Sequence, residues 1–134
     1  MKVLVYYKLT GPDQFRKFPV ADLHGHGLGF GDINGDGRGD LIVSDGWLEA
    51  PKDLTNGKWI HHPVFQLKDA SIPIIVTDVN ADGLADLIVG QGHDYGLFWL
   101  EQMKNGDQIN FTKHEIDPFN SQYHTMAWLD LDAD

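Results

Sequence analysis

Short apolar runs alternate with clusters of Asp, Asn and Gly along most of this chain, as in LGFGDINGDGRGDLIVSDGW from residue 28 and IIVTDVNADGLADLIVGQGH from residue 74. The runs are four to six residues long and rich in β-branched side chains. No segment carries apolar residues at a helical spacing, so strands are expected throughout. First strands are predicted over residues 28–33, 74–79 and 125–131, and second strands over 40–43 and 86–89. The second strands are Leu-Ile-Val runs, as expected for strands covered on both faces. Third strands follow at 47–50 and 97–101, and fourth strands at 59–64 and 110–116. The sequence Lys104-Asn105-Gly106-Asp107 supplies the Asn-Gly of a tight hairpin. The first 20 residues read as two more strands, joined by Thr10-Gly11-Pro12-Asp13.

Laid on itself, the chain aligns residues 29–47 with 75–93 through a shared D-h-N-x-D-G-x-x-D-L-I-V pattern, where h is apolar. A further copy starts at Ala127. The leading aspartates are Asp32, Asp78 and Asp130, separated by 46 and 52 residues. That period suits the four-stranded blades of a β-propeller, which repeat about every 40–50 residues. The expected fold is all-β, a propeller segment with about two complete blades. Residues 1–22 would be outer strands of a preceding blade, 23–68 and 69–120 the complete blades, and 121–134 the first strand of the next. A closed ring takes about 4–8 blades, so further blades are expected partners.

Each loop between first and second strands concentrates hard oxygen donors. Asp32, Asn34, Asp36 and Asp40 stand at positions 1, 3, 5 and 9, with Gly37 at position 6; Asp78, Asn80, Asp82, Asp86 and Gly83 match them. Alternate side chains in a tight turn converge on one point, and the carbonyl of Arg38 or Leu84 adds an oxygen at position 7. Such a set suits Ca²⁺ first and Mg²⁺ second. An EF-hand loop opens in the same way but requires a carboxylate at position 12 and a following helix. Position 12 is Val43 or Val89, inside a strand-type run. Plain Asp/Asn/Gly turns would account for one such loop; two in register with a third beginning favour a metal, in a structural role.

These loops resemble the FG-GAP or VCBS repeats of integrin α-subunit propellers and their bacterial relatives. The resemblance implies that calcium sits between the two inner strands of each blade. It also implies that Asp130, Asp132 and Asp134 begin a third such site. More weakly, G-H-G-L-G-F-G-D, G-W-L-E-A-P, H-D-Y-G-L-F-W-L-E-Q and S-Q-Y-H-T-M-A-W-L-D resemble the propeller of aldos-2-ulose dehydratase-type bacterial proteins, which act on oxidised sugars.

The formal charge of −10, from 20 acidic and 10 basic residues, disfavours nucleic acid and anionic membranes as partners. Much of it lies in the Asp loops, where cations would neutralise it. The absence of cysteine rules out disulfides and thiolate sites. The opening MKVLVYYKL reads as a strand rather than a signal-peptide core, and no apolar run reaches the ~20 residues of a membrane helix. Calcium dependence would place the protein outside the cytoplasm, in an extracellular or periplasmic setting.

A second group of residues falls at the other end of the predicted strands. His26 and His124 each lie six residues before a loop aspartate, where the middle repeat has Ile72; His93 lies in the loop after the second strand, beside Asp94 and Tyr95. With His24, these would line one rim, where imidazoles bind a transition metal or serve as acid and base. Taken singly, each histidine is better explained as a strand cap. His61, His62 and His114 fall on outer strands and read as structural or exposed. Trp59 and Trp99 read as packing between blades. Trp47 and Trp128 lie closer to the rim, where an aromatic face suits a sugar, although core packing is the stronger explanation. Three functions follow: a calcium-stabilised module recognising carbohydrate or protein, a sugar-active lyase or dehydratase using His26, His93 and His124, or scaffold within a larger enzyme.

Overall fold

The computed structural model describes residues 3–22 and 25–133. Ten strands form three antiparallel sheets: β1 (Val3–Gly11), β2 (Gln14–Asp22), β3 (Gly29–Gly31), β4 (Asp40–Val43), β5 (Gly46–Glu49), β6 (Ile60–His62), β7 (Ile75–Thr77), β8 (Asp86–Gly90), β9 (Tyr95–Asn105) and β10 (Gln108–Ser121). β1 and β2 make a hairpin, and two four-stranded meanders follow in the orders β3-β4-β5-β6 and β7-β8-β9-β10. No described residue is helical, and no sheet closes on itself. No helix among the described residues is long and apolar enough to cross a membrane. The chain is thus all-β.

The meanders form because each Asp/Gly loop reverses the chain between strands too short to bury their faces alone. β4 and β8 are inner strands of their sheets. All of β8 is buried, and only Leu41 of β4 is partly open, as their apolar runs require. One core lies between the two four-stranded sheets and joins Ile33, Ile42, Trp47 and Leu67 to Ile74, Leu87, Val89, Phe98 and Leu100. A smaller one gathers Leu4, Val43 and Leu48, with Val20, Ala21 and Trp59 packed against it, and so joins the hairpin to the first four-stranded sheet. The first strands of the two larger sheets run side by side. Gly29 bridges Ile74 in parallel, and the Ile74 amide donates to the Leu28 carbonyl at 2.8 Å. A side chain at Gly29 would lie 2.5 Å from the Ile74 carbonyl oxygen, so glycine permits this approach.

Three expectations are corrected. The first strands are shorter than the expected 28–33 and 74–79, because the Ile33 and Val79 amides donate to Asp40 and Asp86 instead of to a ladder. Residues 125–131 form no strand, because no described strand lies alongside to supply a ladder. β9 and β10 extend well beyond the predicted 97–101 and 110–116, since the pair goes on exchanging hydrogen bonds into polar sequence on either side. Trp47 lies in the inter-sheet core, 3% exposed, as its core-packing explanation expected. It falls there because β5 turns it onto the ring of His62, its cross-strand partner. Trp128, by contrast, is exposed.

Candidate functional site

Both Asp loops leave a short first strand and enter a buried second strand, and in each the position-1 carboxylate organises the turn. Asp32 accepts from the amides of Gly35 at 2.9 Å, Asp36 at 3.1 Å and Gly37 at 2.8 Å. Asp78 accepts from Asp82 at 3.1 Å and Gly83 at 2.8 Å. Position 6 is in the left-handed region in both loops, with φ of 83° at Gly37 and 85° at Gly83, which glycine adopts without strain. Asn34 and Asn80 each donate to the following loop aspartate, Asp36 at 3.1 Å and Asp82 at 3.2 Å.

The position-9 aspartates differ in being fully buried. Asp40 accepts from the Ile33 and Ala50 amides, both at 2.9 Å. Asp86 accepts from Val79 at 2.9 Å and Gln102 at 2.8 Å. Asp40 therefore ties the start of its loop to the residue after β5, and Asp86 ties its own to β9. Burial pushes the Asp40 carboxyl above the usual carboxylate range; the Ala50 and Ile33 amides oppose this, and the charges of Asp36 and Asp32 add to it. At Asp36 desolvation also pushes upward, but the Arg38 amide, Asn34 and the Arg38 guanidinium together hold the carboxyl below its ordinary value.

The loops differ at position 7. The Arg38 side chain turns back to pair with Asp36 and donates to the Ala50 carbonyl at 3.1 Å. Leu84 offers no such charge, and Asn80 donates to Glu101 at 2.9 Å. The two loops lie side by side. Gln102, 1% exposed, donates to the Ile33 carbonyl at 3.0 Å and the Ala85 carbonyl at 2.7 Å, and Lys104 Nζ reaches the Asn34 carbonyl at 3.2 Å. A cavity of about 520 Å³ runs between the loops, lined by Asp32, Asn34, Asp78, Gln102 and Lys104 among others. Asp130 accepts from the Ala133 amide at 2.7 Å, Asp132 is exposed, and Asp134 lies outside the described residues.

As these side chains stand, no three His, Cys, Asp or Glu groups among the described residues are arranged as a metal cage. The donor chemistry nonetheless fits a hard cation. Each loop brings three carboxylates and an Asn carbonyl oxygen into one turn, and no soft ligand is present.

At the opposite ends of the strands the histidines gather. His26 precedes β3, His93 lies between β8 and β9, and His124 follows β10. The His26 and His93 rings are 5.5 Å apart between centroids, and those of His93 and His124 are 5.0 Å apart, both edge to face. His26 Nδ1 donates to the Ala70 carbonyl at 3.0 Å, and His124 Nε2 to Gln122 Oε1 at 2.9 Å. Asp94 is held by the Tyr95 amide at 2.8 Å and Lys68 at 3.2 Å, which lower its carboxyl pKa, and the Tyr95 ring is exposed. His24 lies outside the described residues.

One arrangement escaped the sequence reading. Trp47 stacks on His62, with centroids 4.1 Å apart, and His62 Nε2 meets Glu49 at 2.9 Å. Trp99 stacks on His114 at 4.6 Å, and His114 Nε2 meets Glu101 at 2.7 Å. The two triples are offset by 52 residues, whereas Asp32 and Asp78 are offset by 46. Aligning the shared Trp-Leu-Glu strings, instead of the loops, would have revealed the equivalence. His61 is exposed, against the Asp45 carbonyl at 3.2 Å.

No protein-family model, curated protein or solved structure matches the chain.

Proposed function

We propose that this chain is a calcium-stabilised segment of a β-propeller, its two four-stranded sheets being successive FG-GAP/VCBS-type blades that present a recognition surface for carbohydrate or protein outside the cytoplasm. One observation carries the reading: two loops with the same oxygen donors lie side by side between first and second strands of adjacent sheets, stitched by Gln102. The parallel approach of β3 and β7 supports it, because inner strands that surround a propeller axis meet in this way. So does the charge. Three carboxylates in one turn repel each other and lose hydration, which a divalent cation offsets.

When bound, calcium would supply charge neutralisation and a fixed loop geometry. Asp32, Asn34, Asp36, Asp40 and the Arg38 carbonyl would hold it in one loop, and Asp78, Asn80, Asp82, Asp86 and the Leu84 carbonyl in the other. Magnesium fits less well, since it demands stricter octahedral geometry. The test is thermal. Asp36→Ala and Asp82→Ala should each lower the Tm in calcium, and a chelator should remove most of the difference from the parent. A Tm indifferent to calcium in all three proteins would refute the reading.

A second reading, a sugar-active lyase or dehydratase, is favoured by the convergence of His26, His93 and His124 alone. Loss of turnover on a 2-keto sugar in His93→Ala, with calcium binding intact, would support it.

A further inference from the structure

A cavity of about 410 Å³ opens where the first four-stranded sheet meets the β9–β10 hairpin of the second, and its volume is that of a small-molecule site. Trp47, Glu49 and His62 line it from one side, Lys104 and Asp107 from the other. Trp47 is 3% exposed, and its buried indole Nε1–H has no hydrogen-bond partner among the described residues. Leaving a buried donor unmet is costly, and in folded proteins such groups nearly always find an acceptor.

The rest of the lining offers polar atoms of both kinds. A carboxylate only accepts, so the contact of Glu49 with His62 Nε2 at 2.9 Å fixes the proton of the neutral ring there and leaves a lone pair on Nδ1. Asp107 is exposed and brings a second carboxylate. Lys104 Nζ reaches the Asn34 carbonyl at 3.2 Å and keeps further protons to donate. The carboxylates of Asp36, Glu49 and Asp107 outweigh the cations of Lys104 and of Arg38, which pairs with Asp36, so an anionic ligand is disfavoured. Hydroxyl groups both donate and accept, and a neutral sugar carries several on one ring.

We infer that this cavity binds one neutral sugar ring, with a hydroxyl oxygen at the Trp47 indole N–H and hydroxyl protons directed to Asp107 and Glu49. His62 stacks on the indole with centroids 4.1 Å apart and covers one of its faces, so the sugar meets the indole edge instead of stacking on it. The matching group of Trp99, His114 and Glu101 has no described strand beyond β10 to close a cavity over it. The site rests on the carbohydrate-recognition reading and gives it a location.

The experiment follows the indole N–H resonances of the full chain in calcium, isotope-labelled in its tryptophans. Methyl α-glucoside, methyl α-galactoside, methyl α-mannoside and glucuronate are added separately at millimolar concentration. At least one neutral glycoside should shift the Trp47 resonance saturably and spare that of Trp99, while glucuronate should shift neither. Asp107→Asn and Glu49→Gln should each weaken binding about tenfold, as expected for losing a hydrogen bond to a charged group. Trp47→Phe identifies the resonance by its disappearance. Should that variant not fold, the exposed Asp107→Asn carries the test, with far-UV circular dichroism establishing its fold. Saturation transfer to the glycoside protons detects binding anywhere on the chain. A glycoside that binds without moving the Trp47 resonance, or equally well to Asp107→Asn and Glu49→Gln, would overturn this site and leave carbohydrate recognition standing. No glycoside bound, with calcium still raising the Tm, would overturn the site and sugar recognition together and spare the calcium loops. A shift by glucuronate alone would overturn the assignment of a neutral ligand.

Discussion

Asp40 and Asp86 hold the fold at the positions where the proposed calcium would also be bound. Each is fully buried, and each spends one carboxylate oxygen on the amide after the loop's first aspartate and the other on an amide at the third strand. Each oxygen keeps a lone pair. Asp40→Ala would strand the Ile33 and Ala50 amides, and an unmet buried donor costs about 1–3 kcal/mol. In chelator, where no cation contributes, denaturant unfolding of Asp40→Ala should therefore show a loss of about 2–4 kcal/mol. Asp117 is a second anchor. It accepts from Asn120 Nδ2, from the Phe119 amide at 2.9 Å and the Asn120 amide at 3.2 Å, and from the Tyr123 hydroxyl at 3.1 Å. The Asn120 side chain and the Phe119 amide hold its carboxyl below the ordinary value. A lowered folded-state pKa means that the tether is fully present above the unfolded value and is lost as pH falls through the folded one. Hydrogen exchange at the Phe119 and Asn120 amides, compared with Asp117→Asn, should show protection at neutral pH that disappears on acidification. Protection indifferent to Asp117→Asn would contradict this.

At the scale of elements, the two loops are alike in donors and unlike in charge. Arg38 sits against Asp36, whereas Leu84 leaves Asp82 without a cationic neighbour in its loop. The loop from Asp78 should therefore bind calcium more tightly than the loop from Asp32, and Arg38→Leu should raise the affinity of the weaker site several-fold. Equal affinities, or no gain in Arg38→Leu, would show that the guanidinium does not compete. Much at this scale was legible. The span of β4 matched, and β8 ran one residue further, because a Leu-Ile-Val run after a glycine-bearing loop admits few other conformations. The ends of β9 and β10 were not legible, since polar residues on an outer hairpin carry no alternation to mark them. Nor were Glu49 and Glu101. Their role depends on cross-strand neighbours, His62 and His114, whose register follows from hairpin length rather than from local pattern.

For the whole molecule, the arrangement follows from where side chains of adjacent sheets meet. Trp47, Leu67 and Ile74 belong to one core because β3 and β7 approach through a residue without a side chain. The convergence of His26 and His124 was readable from their equal distance ahead of the loop aspartates, and that of His93 from the direction of the strand it follows. The proposed propeller segment depends on its loops being neutralised. The most direct measurement is a calorimetric titration of the chelator-stripped chain with calcium. Two bound ions per chain, with the Tm rising as they bind, is the predicted result; no heat of binding and an unmoved Tm would contradict the account at its root.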